Sequence, residues 1–521
     1  VDTVAGDDVV NSIEHGQNLI ITGSSDGLTA GTALTVTVNG KTYAATVLAD
    51  GTWSAAIPSA DVSALAAGTV TVNVEGQSSA GNPVTINHDV TVDLANVAIS
   101  IDAIASDDVI NAAERGADLV LSGTTANVEE NQTVTITFGG KSYTATVDAE
   151  GKWTATVPSA DLAGLKDGDA SVQVSVTNVN GNSASAGREY SVDATAPSVT
   201  INTIATDDIL NASEAQSDLA ISGTSTAEAG QTVTVSLNGK DYTTTVSANG
   251  SWTLNVPAAD LAGLTDGSVT VTASVSDKAG NPASVDHALT VDVTVPAVTI
   301  HTVAGDDVIN VAEHNQAQII SGSATGAAAG DKVTVTIGGQ TYTTVLDAAG
   351  NWSVGVPASV ISGLSDGSVT VTASVTDAAG NTGSGTHNVT VDTGLPSVSF
   401  NAISDDNVLN AVEKGQDLSV SGTSANLAEG TQVTVTLNGK NYTATTAADG
   451  TWSLTVPAAD LAGLGQASYT LNATATNGVG NSVSNTANLL VDTALPTVTI
   501  NTIAGDNVIN AAEVAAGQTL S

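Results

Sequence analysis

Apolar and polar residues alternate in short runs along the chain, a pattern typical of β-strands that bury one face. Within residues 194–292 the runs are separated by turns that contain glycine, asparagine or proline, such as Asn238-Gly239. A helical turn is predicted over 258–264, because Asp260 stands in a position to cap it. We predict seven strands in this segment, at 198–204, 218–222, 232–237, 241–247, 251–256, 268–276 and 287–292.

The same pattern recurs with a nearly constant period. The five tryptophans lie 100, 99, 100 and 100 residues apart, each between a turn and a proline. Such a period predicts a tandem array of small domains. We predict repeats 1 to 6 at 1–93, 94–193, 194–292, 293–392, 393–492 and 493–521. Because the first and last of these are truncated, we expect the chain to be part of a longer protein.

Strand number and repeat length together predict the fold. Seven short strands in a repeat of this size, with frequent turns, are typical of an immunoglobulin-like sandwich. The units of a parallel β-helix are much shorter, and a propeller blade has about 40–50 residues. We therefore predict an all-β chain, a tandem array of immunoglobulin-like seven-stranded β-sandwiches that forms an elongated rod.

Composition narrows the partners and the sources of stability. Cysteine is absent, so neither disulfides nor thiolate metal sites can hold the domains together. The chain has 53 acidic and 11 basic residues, for a net charge of −42. This acidity argues against nucleic acid and against docking on anionic membranes. No targeting or membrane-inserting segment is visible.

Oxygen-bearing side chains cluster at three places in the repeat: an acidic loop near its start, the end of its last strand, and the loop before that strand. The acidic-loop residues are Asp7, Asp8, Asn11, Glu14, Asp107, Asp108, Asn111, Glu114, Asp207, Asp208, Asn211, Glu214, Asp306, Asp307, Asn310, Glu313, Asp406, Asn407 and Glu413. The terminal aspartates of the last strands are Asp93, Asp193, Asp292, Asp392 and Asp492. The loop before the last strand offers Asp277 and Asn281 in repeat 3, and Asp377 and Asn381 in repeat 4.

Strand geometry predicts that the three places meet at the junctions between repeats. A first strand of about seven residues, at roughly 3.3 Å per residue, carries the chain from one pole of the sandwich to the other. The acidic loop and the terminal aspartate then share the far pole, where the next repeat brings its Asp-x-x-x-Asn loop. Clustered hard oxygen ligands favour Ca²⁺, which takes 6–8 oxygens, over Mg²⁺. We therefore expect all of these residues to be calcium ligands.

A purely structural interpretation remains open. The acidic loop could simply cap one helical turn and satisfy loop amides. Calcium sites need not be equal either: repeats 2 and 5 offer Asn178 with Asn182 and Asn477 with Asn481 in place of Asp-x-x-x-Asn. We expect weaker calcium binding at the junctions that those two repeats form with their predecessors.

The remaining chemistry-bearing residues favour structure over catalysis. The five tryptophans follow turns inside alternating strands and are expected in the cores, packed with tyrosines of the neighbouring strand. The six histidines are interpreted as unmatched, solvated surface residues. No Ser-His-Asp grouping, nucleophile elbow or phosphate loop recurs. We predict that the chain is not an enzyme.

The junction sequences resemble a known family. The Asp-x-x-x-Pro joints at Asp193–Pro197 and Asp292–Pro296, the acidic loops and the Asp277–Asn281 loop are similar to the bacterial immunoglobulin-like repeats of giant type I-secreted adhesins. The junctions also resemble those of biofilm-associated BapA-like proteins and related non-fimbrial adhesins. The resemblance implies a secreted, surface-retained protein with calcium at its junctions. The first junction departs from the pattern, since Val97 stands in place of proline, and we expect it to be more flexible.

We therefore predict an extracellular stalk on the bacterial cell surface, stiffened by Ca²⁺ and supporting adhesion and biofilm formation. Its partners would be the neighbouring repeats, with a host-surface or biofilm-matrix ligand bound outside this chain. The alternative is an array of ligand-binding modules that contacts a glycan or protein directly. That alternative predicts a repeat with divergent, aromatic-rich loops.

Overall fold

Each of repeats 1 to 5 contains two β-sheets, as the alternating sequence predicts. The computed structural model describes residues 1–521, and these are almost entirely strands and turns. The larger sheet has five strands and the smaller has two or three. The predicted all-β, immunoglobulin-like fold class is thereby confirmed.

The strands follow the same order in repeats 1 to 5, except that repeats 1 and 3 lack the first short strand of the other three. Repeat 1 has β1 (Val9–Val10), β2 (Leu19–Ser24), β3 (Ala33–Val38), β4 (Lys41–Thr46), β5 (Thr52–Ile57), β6 (Gly68–Gln77) and β7 (Pro83–Val92). Repeat 2 has β8 (Ala98–Ile99), β9 (Val109–Ile110), β10 (Leu119–Ala126), β11 (Thr133–Phe138), β12 (Lys141–Thr146), β13 (Lys152–Val157), β14 (Gly168–Thr177) and β15 (Ser183–Val192). Repeat 3 has β16 (Ile209–Asn211), β17 (Leu219–Thr224), β18 (Thr232–Leu237), β19 (Lys240–Thr245), β20 (Ser251–Val256), β21 (Gly267–Ser276) and β22 (Pro282–Asp292).

Repeats 4 and 5 continue the series with a longer first strand. Repeat 4 has β23 (Ala297–Ile300), β24 (Val308–Asn310), β25 (Gln318–Thr325), β26 (Lys332–Ile337), β27 (Gln340–Val345), β28 (Asn351–Val356), β29 (Gly367–Thr376) and β30 (Thr382–Asp392). Repeat 5 has β31 (Ser397–Phe400), β32 (Val408–Leu409), β33 (Leu418–Ala425), β34 (Gln432–Leu437), β35 (Lys440–Thr445), β36 (Thr451–Val456), β37 (Ala467–Thr476) and β38 (Ser482–Val491).

Helices are short throughout. The α-helices are α1 (Ser59–Val62), α2 (Ala112–Arg115), α3 (Ser159–Leu162), α4 (Ala258–Leu261), α5 (Ala358–Ile361), α6 (Ala458–Leu461) and α7 (Ala511–Ala516). Single 3-10 turns cover Glu14–Gly16, Ile104–Ser106, Glu214–Gln216, Glu313–Asn315, Glu413–Gly415 and Ile503–Gly505. A membrane-crossing helix, long and apolar enough to span a bilayer, is not found among them.

Sheet order is conserved between repeats. In repeat 4 the larger sheet runs β24-β30-β29-β26-β27 and the smaller runs β23-β25-β28. All neighbours are antiparallel except one pair, because β24 runs parallel to β30. The equivalent parallel pair occurs in repeats 1, 2, 3 and 5, between β1 and β7, β9 and β15, β16 and β22, and β32 and β38.

The cores are built from branched aliphatic side chains around one tryptophan per repeat. All five tryptophans are at most 4% exposed, which confirms their predicted core position. A glycine on the paired strand makes room for each ring. A Cβ added at Gly123 would lie 2.7 Å from the Trp153 ring and 2.0 Å from the Ser100 carbonyl oxygen, so only glycine fits there.

Three details of the predicted repeat 3 are wrong. Residues 198–204 do not form a strand; only Val199 bridges to Ser225, because Thr200 and Asn202 donate to the neighbouring strand without a complete ladder. The short parallel strand β16 inside the acidic loop was not foreseen. Asp260 does not cap the helical turn, since its carboxylate accepts hydrogen bonds from Lys240 and Tyr242.

The chain divides into two compact units. One contains residues 1–208, 218–260 and 268–289. The other contains residues 209–217, 261–267 and 290–521. Ala112, Asp193 and Asn281 all lie in the first unit, and Ala212, Asp292 and Asn381 all lie in the second.

Candidate functional site: the junctions between repeats

The acidic loop of each repeat lies beside the end of the last strand of that repeat. Val9 and Val10 pair in parallel with Thr91 and Val92. In repeat 3 this pairing reaches Asn211 and the terminal Asp292 themselves. The short parallel strand therefore brings the acidic loop and the terminal aspartate together at one pole, as strand lengths predict.

The second acidic residue turns back onto its own loop. Asp8 adopts a φ of 63°, a left-handed conformation that Asp and Asn tolerate better than most residues. Its N–H donates to the Val4 carbonyl at 2.8 Å, and its Oδ1 accepts from the Val4 N–H at 2.8 Å. Asn407 makes the same two bonds with Ile403, at 2.7 and 2.9 Å. Asp and Asn are interchangeable here because either side-chain oxygen closes the loop.

A basic side chain on the last strand faces this residue wherever it is aspartate. Arg188 donates to both carboxylate oxygens of Asp108, at 2.6 and 2.7 Å, and this pairing lowers the pKa of Asp108 to about 2. Histidine takes the same place in three other repeats, in the pairs His88–Asp8, His287–Asp208 and His387–Asp307, at 2.6 to 2.7 Å. In repeat 5 both members change together, to Asn407 and Ala487.

The interpretation of the histidines as unmatched surface residues is therefore wrong for these three, and it is also wrong for His15 and His314. Aligning the repeats on their terminal aspartates would have shown the common position. A second basic position recurs as well: His15 and His314 contact the carbonyls of Leu65 and Leu364, each at 2.9 Å. Both sets of contacts hold the acidic loop against its own repeat.

The Asn and Glu of the acidic loop form a helix cap. Asn111 Oδ1 accepts from the N–H groups of Ala113 and Glu114, and Glu114 Oε2 accepts from the Asn111 N–H at 3.0 Å. The pair is a capping box at the start of α2. The first aspartate is also engaged locally, since Asp107 Oδ1 accepts from Val109 N–H at 3.0 Å. The capping interpretation is thus confirmed for this loop.

One asparagine of the following repeat crosses every junction. Asn281 Oδ1 accepts from the Ala112 N–H at 2.7 Å, and its Nδ2 donates to the Asp193 carbonyl at 2.9 Å. Asn182, Asn381 and Asn481 make the equivalent pair of contacts at the other three junctions. These four asparagines are between 1% and 4% exposed. We call them the bridging asparagines, and we number junctions 1 to 4 by the repeat that precedes each.

At junction 1 the terminal carboxylate is surrounded by amides. Asp93 Oδ2 accepts from the Nδ2 atoms of Asn178, Asn180 and Asn182 at 3.2, 2.7 and 3.1 Å, and Oδ1 accepts from Ala95 N–H at 2.9 Å. Burial raises the pKa of Asp93, but these hydrogen bonds, Asn180 first, outweigh it and leave the pKa below its usual value. The carboxylate is stable as an anion without a counter-charge.

At junction 3 the terminal carboxylate faces a second one. Burial raises the pKa of Asp292, and the negative charge of Asp377 raises it further, with a smaller contribution from Asp266. Its hydrogen bonds are long: Asn381 Nδ2 and Thr294 N–H both lie 3.4 Å from Oδ1. The partly buried anion therefore lacks both close donors and a positive neighbour.

Junctions 2 and 4 differ from each other at the first residue of the entering loop, which is Asp277 at junction 2 and Asn477 at junction 4. Junction 2 has the residue types of junction 3, with Asp193 as the terminal carboxylate and the buried Asp277 in the loop. Junction 4 has Asn477 in the loop, so Asp392 is the one carboxylate among its terminal and loop positions. The position of Asn180 is taken by Ala279, Ala379 and Val479 at the other junctions.

The donor sets decide which junctions suit a cation. No group of three or more His, Cys, Asp or Glu side chains is arranged to hold a metal ion. Calcium, however, also accepts carbonyl and amide oxygens. At junction 3 the Asn381 amide contacts both Asp377 and Asp292, the charge of Asp377 raises the pKa of Asp292, and no side-chain or loop donor lies closer than 3.4 Å to the Asp292 carboxylate, so these residues fit a calcium ion. At junction 1 the residues do not fit, because amide N–H groups already occupy Asp93 Oδ2.

Comparison with known proteins places the chain. A bacterial immunoglobulin-like domain family model matches residues 199–293 and 294–393. No curated protein matches the sequence. Among solved structures, a Ca²⁺-stabilised adhesin that helps an Antarctic bacterium reach out and bind ice is 40% identical, and the match covers 76% of this chain and 99% of that one, with a TM-score of 0.33.

Two further structures extend this comparison. A tetra-tandem repeat from the extending region of a large adhesion protein is 30% identical over 76% of this chain and all of that one, with a TM-score of 0.33. A structure of a 1.5-MDa bacterial ice-binding adhesin, described for host cell surface retention, is 37% identical over 57% of this chain and 98% of that one, with a TM-score of 0.32. These relatives are at least 30% identical to this chain over nearly their whole length. The chain therefore belongs to the family of tandem bacterial immunoglobulin-like repeats of large adhesins.

Proposed function

We propose that this chain is an extender region of a large surface adhesin, which holds an adhesive part of the protein away from the bacterial cell. The observation that carries the proposal is the bridging asparagine, buried and bonded in the same way at all four junctions. A repeated, closed junction fixes each repeat to the next, as a spacer requires. Support also comes from the similar tetra-tandem repeat, which belongs to an extending region.

We further propose that Ca²⁺ binds at junctions 2 and 3 and stiffens them. Asp193 with Asp277, and Asp292 with Asp377, would supply the central carboxylates. The first aspartates and the glutamates of the adjacent acidic loops are the proposed source of the remaining oxygens, because the second aspartates are paired with Arg188 and His287. A bound cation would neutralise the two like charges that raise the pKa of Asp292. Extracellular calcium modules typically bind at about 10⁻⁴–10⁻³ M, so such junctions would bind after export rather than inside the cell.

Calorimetric titration of the whole chain with Ca²⁺ tests the proposed sites. We expect two stronger sites rather than four equal ones. Asp377→Asn should remove one of them, because it leaves Asp292 as the single carboxylate of that pair. Asp286→Asn is the matched control: it removes the same charge from an exposed strand position where Asp286 accepts from Thr272, and should leave both sites unchanged. Four equal sites, or equal effects of the two variants, would contradict the assignment.

The mechanical part of the proposal has a separate test. X-ray scattering from the whole chain with Ca²⁺ and with a chelator should show a change in maximum dimension, and an unchanged value would refute calcium stiffening. The surface and biofilm roles rest on the similarity to large adhesins. They predict that shortening the repeat region of the parent adhesin lowers biofilm mass without lowering the amount of protein on the cell.

A further inference from the structure

The loop that enters junction 1 differs from the others at one side chain that points into the junction. It reads Asn178-Val179-Asn180-Gly181-Asn182, whereas the loops of junctions 2, 3 and 4 have alanine or valine in place of Asn180. The Asn180 Nδ2 lies 2.7 Å from Asp93 Oδ2, the shortest of the three amide contacts on that oxygen. Its backbone N–H also bonds Asn178 Oδ1 at 3.2 Å, which fixes the turn.

The three amides occupy the place where a cation would otherwise be needed. A carboxylate oxygen offers about two lone-pair directions, and Asp93 Oδ2 already receives three N–H groups. Hydrogen bonds to a charged acceptor are the strong ones, so displacing them would cost more than displacing water. The loop brings no second carboxylate, since Asn178 replaces the aspartate of repeats 3 and 4. Calcium would therefore have to displace three close N–H donors in order to bind a single carboxylate, that of Asp93.

We propose that Asn180 substitutes for the cation at junction 1, so that this junction is closed with or without calcium while junctions 2 and 3 respond to it. The calcium response of junctions 2 and 3 rests on the proposed function, but the closure of junction 1 by Asn180 does not. The array would then have one junction whose stiffness is independent of the ionic environment. The missing proline at Val97 is offset by side-chain hydrogen bonds across the joint.

Pairs of spin labels on the whole chain test this directly, because the protein has no native cysteine to interfere. Labels at Thr42→Cys and Ser142→Cys span junction 1, and labels at Ser142→Cys and Asp241→Cys span junction 2; all three positions are exposed and equivalent in their repeats. Across junction 1 we expect the same narrow distance distribution in Ca²⁺ and in chelator. Across junction 2 the distribution should broaden in chelator.

Substitutions at one position separate the amide from a general structural role. Asn180→Ala should broaden the junction 1 distribution in both conditions. Asn180→Asp should broaden it in chelator and narrow it again in Ca²⁺, which a merely misfolded loop would not do. The reciprocal change Ala279→Asn should reduce the chelator response of junction 2.

The outcomes are distinguishable. A junction 1 that broadens in chelator, or an Asn180→Ala variant that stays narrow, overturns the role of Asn180. If neither junction responds to calcium but Asn180→Ala still opens junction 1, the proposed calcium function fails and the role of Asn180 stands.

Discussion

Junctions 1 and 3 share a backbone arrangement and differ in the chemistry around one carboxylate. In both, a buried bridging asparagine accepts from the acidic loop and donates to the terminal carbonyl, with distances between 2.7 and 3.1 Å. At junction 1 three amides surround Asp93, whereas at junction 3 Asp292 faces Asp377. The bridging asparagine is therefore common to both junctions, whereas the side chains beside it decide whether the pKa of the terminal aspartate is lowered or raised.

This separation explains how one array can contain joints of different character. Replacing Asp by Asn in the entering loop changes neither the turn nor the bridge, because both residues offer the oxygen that accepts from the bridging asparagine N–H, at 2.8 Å in either case. What changes is the charge and the number of donors. Local sequence variation can thus tune a junction without altering how the repeats join.

Removing a bridging asparagine should have the largest effect, and an equal one at both junctions. Asn182→Ala leaves the Ser12 N–H and the Asp93 carbonyl without these partners, and Asn381→Ala does the same to Ala212 and Asp292. A buried group left unpaired costs about 1–3 kcal/mol. Native-state hydrogen exchange of the Ser12 and Ala212 amides measures the loss at each joint.

The control for this prediction is Asn388→Ala, which removes an exposed contact with Thr370 away from any junction. It should change stability by no more than about 0.5 kcal/mol, as exposed substitutions usually do. If one bridging asparagine mattered much more than the other, the shared geometry would not be the common basis of the two junctions.

Calcium should stabilise junction 3 but not junction 1, by a free energy similar to that lost with a bridging asparagine. At about 10 mM Ca²⁺ and a dissociation constant of about 10⁻⁴–10⁻³ M, binding stabilises the closed state by about 1–3 kcal/mol. Exchange protection of the Ala212 amide at junction 3 should rise by roughly 10- to 100-fold with calcium. Protection of Ser12 at junction 1 should not change. Asp377→Asn should abolish the rise, and an equal rise at both amides would remove the distinction.

Sequence patterning predicted most of the strands and the pole at which the acidic groups meet, although the expected first strand of repeat 3 is reduced to one bridge at Val199. Strands β18 and β20 match their predicted ranges. The direction of individual side chains did not follow from the pattern. The left-handed φ of Asp208 turns its carboxylate toward His287 on its own last strand. That turn depends on the backbone conformation of one residue, which the alternation of apolar and polar residues does not predict.

The bridging asparagine shows the same limit. Asn281 was expected as an oxygen ligand, yet its amide N–H and its oxygen both contact the preceding repeat, through Asp193 and Ala112. Its role depends on contacts between residues that are 88 and 169 positions apart in the sequence. Comparison of the repeats with each other, rather than the strand pattern, is the sequence signal that could have found it.

Acid should move the two metal-free junctions in opposite directions. The pKa of Asp292 is raised, so its folded form holds a proton more tightly than its unfolded form, and stability at junction 3 rises as pH falls through that pKa toward 3.8. The pKa of Asp93 is lowered, so the stability it contributes is present above 3.8 and is lost as pH falls through the lowered pKa. Carboxyl NMR titration in chelator measures both. Shifts of the same sign at the two aspartates would contradict the contrast.

The smallest expected effect concerns the ion pair behind each acidic loop. Repeats 1 and 3, which precede junctions 1 and 3, both hold the second aspartate with a histidine, in the pairs Asp8–His88 and Asp208–His287. Because the pairs are alike, they cannot cause the difference between the junctions.

Repeat 5 has Asn407 and Ala487 instead, so the double change Asp208→Asn with His287→Ala reproduces a natural combination. A partly exposed pair contributes about 0–1 kcal/mol, and a double-mutant cycle by chemical denaturation should find a coupling of that size, equal in repeats 1 and 3. A coupling several times larger in one repeat would indicate that the difference between junctions 1 and 3 originates in the acidic loops and not in the junction residues.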